Sequence, residues 1–207
     1  MFCLKVPTDR AWAEEAIRDV DAILVDHAHC EMKAASNALS LAARYGGDAE
    51  VVRALTELAR EEIEHFQRVL SLLVARGLAL GPPAVDSYAA DLRRAASRLP
   101  RMPGADPIVD RLLVGALIEA RSCERFQLLA EVTEGDAARR DLHALWGELL
   151  AAEARHYRTF VDLAVRASGL ERARIVARLE ELAELEGAIV GGLARGGAGA
   201  SRATIHG

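Results

Sequence analysis

Residues 142–163 read LHALWGELLAAEARHYRTFVDL, and the fold turns on how that stretch is phased. Leu142, Leu145, Leu149, Glu153, His156, Phe160 and Leu163 recur at alternating spacings of three and four, the period of a helix with one face against a core. A glutamate and a histidine therefore stand in the middle of a seam that is apolar at both ends. A buried carboxylate costs on the order of several kcal/mol unless it is paired or bound to a cation.

Three more segments repeat the pattern. One seam runs Val51, Leu55, Leu58, Glu62, His65, Val69, Leu72; another Ile17, Val20, Leu24, His27, Glu31, Ala34, Ala38, Leu41; the third Val109, Leu112, Ala116, Glu119, Cys123, Phe126, Ala130. Turn signals at Gly46-Gly47, Gly77, Gly135 and Gly169 divide the chain into long helices over about Asp9–Tyr45, Asp48–Arg76, Pro107–Gly135 and Asp136–Ser168. A fifth helix is expected over about Leu170–Val190. A segment rich in proline and glycine, with a short helix near Ser87–Arg98, joins the second long helix to the third. Two hairpins joined by one long crossover is the connectivity of a ferritin-like four-helix bundle, so the expected fold is all-α of that kind. Residues 1–190 are expected to form this domain, and the glycine-rich residues 191–207 a flexible tail.

The four glutamates agree in height. Glu31 and Glu62 stand about equally far from the Gly46-Gly47 turn, and Glu119 and Glu153 about equally far from Gly135, so each pair is level at ~1.5 Å of rise per residue. Glu124 is the rival on its helix, but it lies off the seam and roughly a turn and a half away from Glu153 in height; Glu119 is chosen. Glutamate and histidine three residues apart both reach one ion, and Glu on two helices with Glu-x-x-His on the other two is the ligand set of di-iron and di-manganese carboxylate bundles. Four carboxylates with two neutral imidazoles carry a charge that two divalent cations cancel. Oxygen and imidazole donors suit iron or manganese better than copper.

Composition narrows the function. No run approaches the roughly 18 apolar residues of a membrane span, and the opening Met-Phe-Cys-Leu-Lys-Val lacks the charged start and cleavage site of a signal peptide. Three scattered cysteines, Cys3, Cys30 and Cys123, exclude a disulfide scaffold and any CxxC metal site and suit a reducing cytoplasm. A net charge of −5 argues against indiscriminate nucleic-acid binding. Cys30 and Cys123 are read as small buried hydrophobes, Tyr45 and Tyr157 as packing residues, and His29 as a surface or boundary residue. His27 is either a hydrogen-bonding support for the cluster or an ordinary core histidine, and both readings stay open. Arg121, Arg125, Arg155 and Arg158 either make surface salt bridges with Glu124 and its neighbours or line the mouth of the cluster.

Asp26–Ser36, Ile118–Phe126, Glu153–Tyr157, Ala59–Glu62 with His65, and Tyr88 with Leu92-Arg93-Arg94, in that order, resemble the bacterial tRNA 2-methylthio-isopentenyladenosine hydroxylases (MiaE-like). The resemblance implies a ferritin-like non-haem di-iron monooxygenase that uses O₂ and two electrons to hydroxylate the isopentenyl group of the hypermodified adenosine next to the anticodon. It implies that Glu31, Glu62, His65, Glu119, Glu153 and His156 hold two iron ions. Leu24, Leu112, Ala116 and Leu149 are candidates for apolar walls around the prenyl tail. No GxGxxG nucleotide motif is present, so an external donor, a ferredoxin-like protein or a reductase, is expected to supply electrons.

The transfer-RNA anticodon stem-loop, the implied partner, needs phosphate contacts. Arg93, Arg94, Arg98 and Arg101 outnumber Asp86 and Asp91 in the crossover and are expected to grip the backbone, extended by Arg121 and Arg155. Tyr88 is expected to stack on an unstacked base. Two other readings remain at this stage: another ferritin-like di-iron oxidoreductase, acting on a small molecule or a peroxide, and a metal-free helical interaction module.

Overall fold

The computed structural model describes residues 3–83, 87–196 and 204–205, and every described regular element is helical. In chain order they are α1 (Arg10–Ala16), a 3-10 turn (Ile17–Asp19), α2 (Val20–Arg44), α3 (Ala49–Ala75), α4 (Tyr88–Arg98), α5 (Ile108–Thr133), a second 3-10 turn (Ala137–Arg139), α6 (Arg140–Ser168) and α7 (Arg172–Gly196). The chain divides into two compact units: Met1–Glu15 with Asp86–Ser201 and His206–Gly207, and Ala16–Val85 with Arg202–Ile205.

In the second of these units, α2 and α3 form a hairpin closed by the Gly46-Gly47 turn. Asp48 ends the turn by accepting from the backbone N–H groups of Glu50 at 2.9 Å and Val51 at 3.4 Å, a cap worth about 1 kcal/mol. Its seam is buried at Leu24, Ala38 and Leu41 on α2 and at Val51, Leu55, Leu58 and Val69 on α3. Two expectations need correction here. The long first helix is interrupted at Ile17–Asp19, where Asp19 starts α2 afresh by accepting from the Ala22 N–H. The distal end of the α3 seam passes through Leu73 rather than Leu72.

The first unit is built on a second hairpin, α5 and α6, with α4 and α7 packed beside it. Gly115 lets its two helices close: a Cβ at this position would lie 3.0 Å from Cε1 and Cζ of Phe160. Those two residues stand one turn from Glu119 and His156 respectively, so the glycine permits close approach where the polar residues begin. Phe126 stacks on the fully buried Trp146 at 5.9 Å between ring centroids. Gly169 ends α6 at φ 63, a left-handed conformation that glycine adopts without a Cβ penalty.

The fifth long helix also differs from expectation. It continues to Gly196, beyond the expected end at Val190, because Gly191 and Gly192 carry on its last turns. Of the segment expected to be a flexible tail, residues 197–203 and 206–207 lie outside the described residues. Ile205 is buried and its N–H donates to Asp26 Oδ2 at 2.7 Å.

Candidate metal centre

Each hairpin brings three metal-type donors together. In the α2–α3 hairpin, Glu31, Glu62 and His65 each place one ligand atom within 4.8 Å of the other two. His65 Nδ1 lies 3.3 Å from Glu62 Oε2 and 3.9 Å from Glu31 Oε2. In the α5–α6 hairpin, Glu119, Glu153 and His156 meet within the same limit, with His156 Nδ1 3.2 Å from Glu153 Oε2. The two Glu-x-x-His pairs thus use the same atoms at nearly the same separation, as two side chains three residues apart on a helix do when both aim at one point.

All of these side chains are buried except His65, which is 19% exposed. Two carboxylates and a neutral imidazole per hairpin leave two negative charges in a poorly solvated place. That cost is removed by one divalent cation for each trio. The donors are oxygen and imidazole nitrogen, the set that iron and manganese accept. The residues therefore fit a divalent metal pair.

His27 lies on the α2 seam one turn before Glu31, with its Nε2 2.9 Å from Glu31 Oε1, and both are buried. This close approach favours the supporting reading over that of an ordinary core histidine. His29 is buried at 7% exposure, not a surface residue: α2 is covered on every side from Asp26 to Glu31. Cys30 and Cys123 are buried free thiols. Burial first, then the Glu153 and Glu119 carboxylates, push the Cys123 thiol up, so it stays protonated and unreactive.

Glu124 is occupied elsewhere. It pairs with Arg121 Nη1 and accepts from the Thr8 hydroxyl at 2.6 Å. Arg121 and Tyr88 overturn the expectation that they meet RNA at the surface, for both are 0% exposed. Arg121 donates from Nε and Nη2 to Glu186 at 2.8–3.0 Å, from Nη2 to the Val6 carbonyl and from Nη1 to Thr8. The Tyr88 hydroxyl donates to Glu186 Oε1 at 2.9 Å. Burial and then the charge of Glu186 hold that phenol well above its ordinary range, so it remains a donor.

Arg125 is buried as well, 4.8 Å over the Trp12 ring. Burial, reinforced by the like charge of Arg121, pushes its guanidinium down to about 10. Arg93, Arg94, Arg98, Arg101, Arg155 and Arg158 are exposed. Arg94 pairs with Asp91 at 2.6 Å, and Arg155 donates to the Ala151 carbonyl of its own helix at 3.1 Å. Asp86, the other acid weighed against the crossover arginines, lies outside the described residues.

Glu186 went unnoticed in the sequence although its signal was present. It stands on the α7 seam Ile175, Leu179, Leu182, Glu186, Val190, all buried, the same glutamate-in-an-apolar-row pattern that singled out the four ligand candidates.

The chain resembles known proteins over most of its length. It is 43% identical over 161 residues to a tRNA 2-(methylsulfanyl)-N(6)-isopentenyladenosine(37) hydroxylase of Pseudomonas putida, 78% of this chain and 74% of that protein. A Salmonella typhimurium protein of the same name is 28% identical over 236 residues, 90% of this chain and 83% of that one. Among solved structures, "Protein 43 with aldehyde deformylating oxygenase activity from Synechococcus" aligns with a TM-score of 0.82 at 39% identity, covering 100% of this chain and 96% of that chain. This neighbour is ferritin-like, and the all-α fold is of the same class. The family model described as tRNA-(MS[2]IO[6]A)-hydroxylase (MiaE) matches residues 1–195; the chain belongs to that family.

Proposed function

We infer that this protein is an O₂-dependent hydroxylase of transfer RNA, adding oxygen to the isopentenyl group of 2-methylthio-isopentenyladenosine next to the anticodon, with two iron ions held by Glu31, Glu62, His65, Glu119, Glu153 and His156. The observation that carries the reading is the paired trio: each hairpin independently assembles Glu plus Glu-x-x-His in a chain of this family. Iron bound there supplies the activation of O₂. The chain's own residues do the rest. The carboxylates neutralise the cations, the imidazoles complete the donor sets without adding charge, and His27 orients Glu31. Leu24, Leu112, Ala116 and Leu149, each 0–2% exposed, exclude water and offer an apolar lining to a prenyl tail. Electrons come from an external donor, a ferredoxin-like protein or reductase, because no nucleotide-cofactor motif is present.

The direct test is transfer RNA itself. Bulk tRNA from cells with and without this protein is digested and its nucleosides weighed. A gain of one oxygen on the prenylated adenosine, present only with the protein, is expected; identical nucleosides in both cultures would refute the reading. A second reading, oxygenation of an aldehyde, draws on the 39% identical solved neighbour. It predicts aldehyde consumption by the iron-loaded protein with no change in tRNA mass.

Arg93, Arg94, Arg98 and Arg101 are the proposed backbone contacts, with Arg155 a further exposed candidate. Arg101 lines a cleft with Pro100, Met102, Pro103, Arg174, Arg178 and Glu181. Arginine suits bidentate contact with phosphate. Replacing Arg93 and Arg94 together by alanine is expected to weaken binding of the anticodon stem-loop and flatten its salt dependence by about two phosphate contacts, as read from the slope of log affinity against log salt. An unchanged slope removes this surface from the proposal and leaves the metal site as it was.

A further inference from the structure

We propose that Arg121, gripped by Glu186, is a positioning residue that sets the rotation of α5 and so delivers Glu119 to Glu153 and His156. The inference rests on the di-iron reading above. In the middle of helix α5 two glutamates, Glu119 and Glu124, face different ways, with Arg121 between them. Each residue turns the helix by about 100°, so Arg121 projects about 200° away from Glu119, from the opposite side of the rod. A grip on that back face therefore fixes where the front face points.

The grip is unusually complete. Arg121 and Glu186 are both 0% exposed and meet at 2.8–3.0 Å through Nε and Nη2. The planar fork orients the helix as well as neutralising charge, which an ammonium group cannot do. Its remaining donors reach the Val6 carbonyl and the Thr8 hydroxyl, each at 3.0 Å, and Glu124. The same guanidinium thus ties α5 to α7 and to the N-terminal segment while holding the competing carboxylate at a distance from the trio. Tyr88 on α4 completes the coordination of Glu186.

The fold supplies its own control. Arg178 of α7 also pairs with α5, donating to Asp110 Oδ1 at 2.8 Å and Oδ2 at 2.7 Å. Asp110 lies nine residues before Glu119, about 13 Å along the helix. Both pairs join the same two helices, but only Arg121–Glu186 acts at the level of the ligand.

The test uses the full chain, freed of iron and titrated anaerobically with Fe(II). Iron stoichiometry, the near-ultraviolet absorption after oxidation, and the melting temperature of the iron-free protein are recorded for Glu186→Gln, Arg121→Lys and Asp110→Asn. Glu186→Gln and Arg121→Lys are expected to weaken one of the two iron equivalents by about 10–100-fold and to reduce the absorption band. Asp110→Asn is expected to lower the melting temperature and titrate like the unaltered protein. Arg121→Lys keeps the charge balance and so provides the comparison if Glu186→Gln fails to fold. Two tight equivalents with an unaltered band in either folded variant would overturn the proposal, whatever its melting temperature. Absence of iron binding by the unaltered protein would instead overturn the di-iron reading, and the positioning role with it.

Discussion

Glu153→Ala is expected to reduce iron content from two ions to at most one per chain and to lower tRNA hydroxylation by at least about 100-fold, since loss of a ligand exceeds the effect of losing a supporting residue. Glu153 is the centre of its trio, within reach of both Glu119 and His156. Its removal leaves one carboxylate and one imidazole for an ion that needs more. The effect on the iron-free protein runs the other way. A carboxylate buried for the sake of a cation destabilises the chain when the cation is absent, so the iron-free variant is expected to melt no lower than the iron-free parent. Iron analysis, nucleoside mass and a thermal scan measure the three quantities. Full iron content with normal turnover would sink the ligand assignment, and a large drop in melting temperature would show that Glu153 serves packing instead.

The largest expected loss of stability belongs to Arg121→Met. Arg121 faces Glu186 where neither side chain is exposed, so removing the cation strands a carboxylate in the interior with the Tyr88 hydroxyl against it. Breaking a buried pair in this way costs about 3–5 kcal/mol. Adding Glu186→Leu to the same chain removes the stranded charge and is expected to recover most of that loss, because a buried ion pair and a well-packed apolar pair are often of similar stability. Urea unfolding of the parent, the single and the double variant separates the two. A single variant as stable as the parent would mean that water or another cation already satisfies Glu186. The double variant also divides stability from positioning: it should regain its unfolding midpoint without regaining the weakened iron equivalent.

The helical seams were legible because glutamate in an apolar row is costly, and cost is what periodic reading detects. That logic placed Glu31 level with Glu62 and Glu119 level with Glu153, as the distances within each hairpin have it. It failed where a helix is covered on more than one side. Seam reading assumes a wet face opposite the buried one, yet α2 is buried at every position from Asp26 to Glu31, and His29 was misplaced as a result. Arg121 and Tyr88 were misread for a related reason. An arginine beside a candidate ligand looks like surface until a fifth helix is seen to cover it, and nothing in the spacing of α5 says where α7 packs. The interruption at Ile17–Asp19 lacks glycine or proline, so only the capping carboxylate of Asp19 marks it.

The N-terminal segment is seated on α5, in the middle of the chain, and this has a consequence during synthesis on the ribosome. Val6 and Thr8 find their seat on Arg121 and Glu124, whose positions lie 115 and 116 residues further on. At about 5–20 residues per second, the nascent N-terminal segment waits roughly 6–23 s before its partners have even been translated. The α2–α3 hairpin needs no such delay, because its contacts are local and its three donors are complete once residue 65 has emerged. One half of the proposed ligand set is thus ready to form while the other is still untranslated, and Val6 and Thr8, made before either, settle only after α5 has been added.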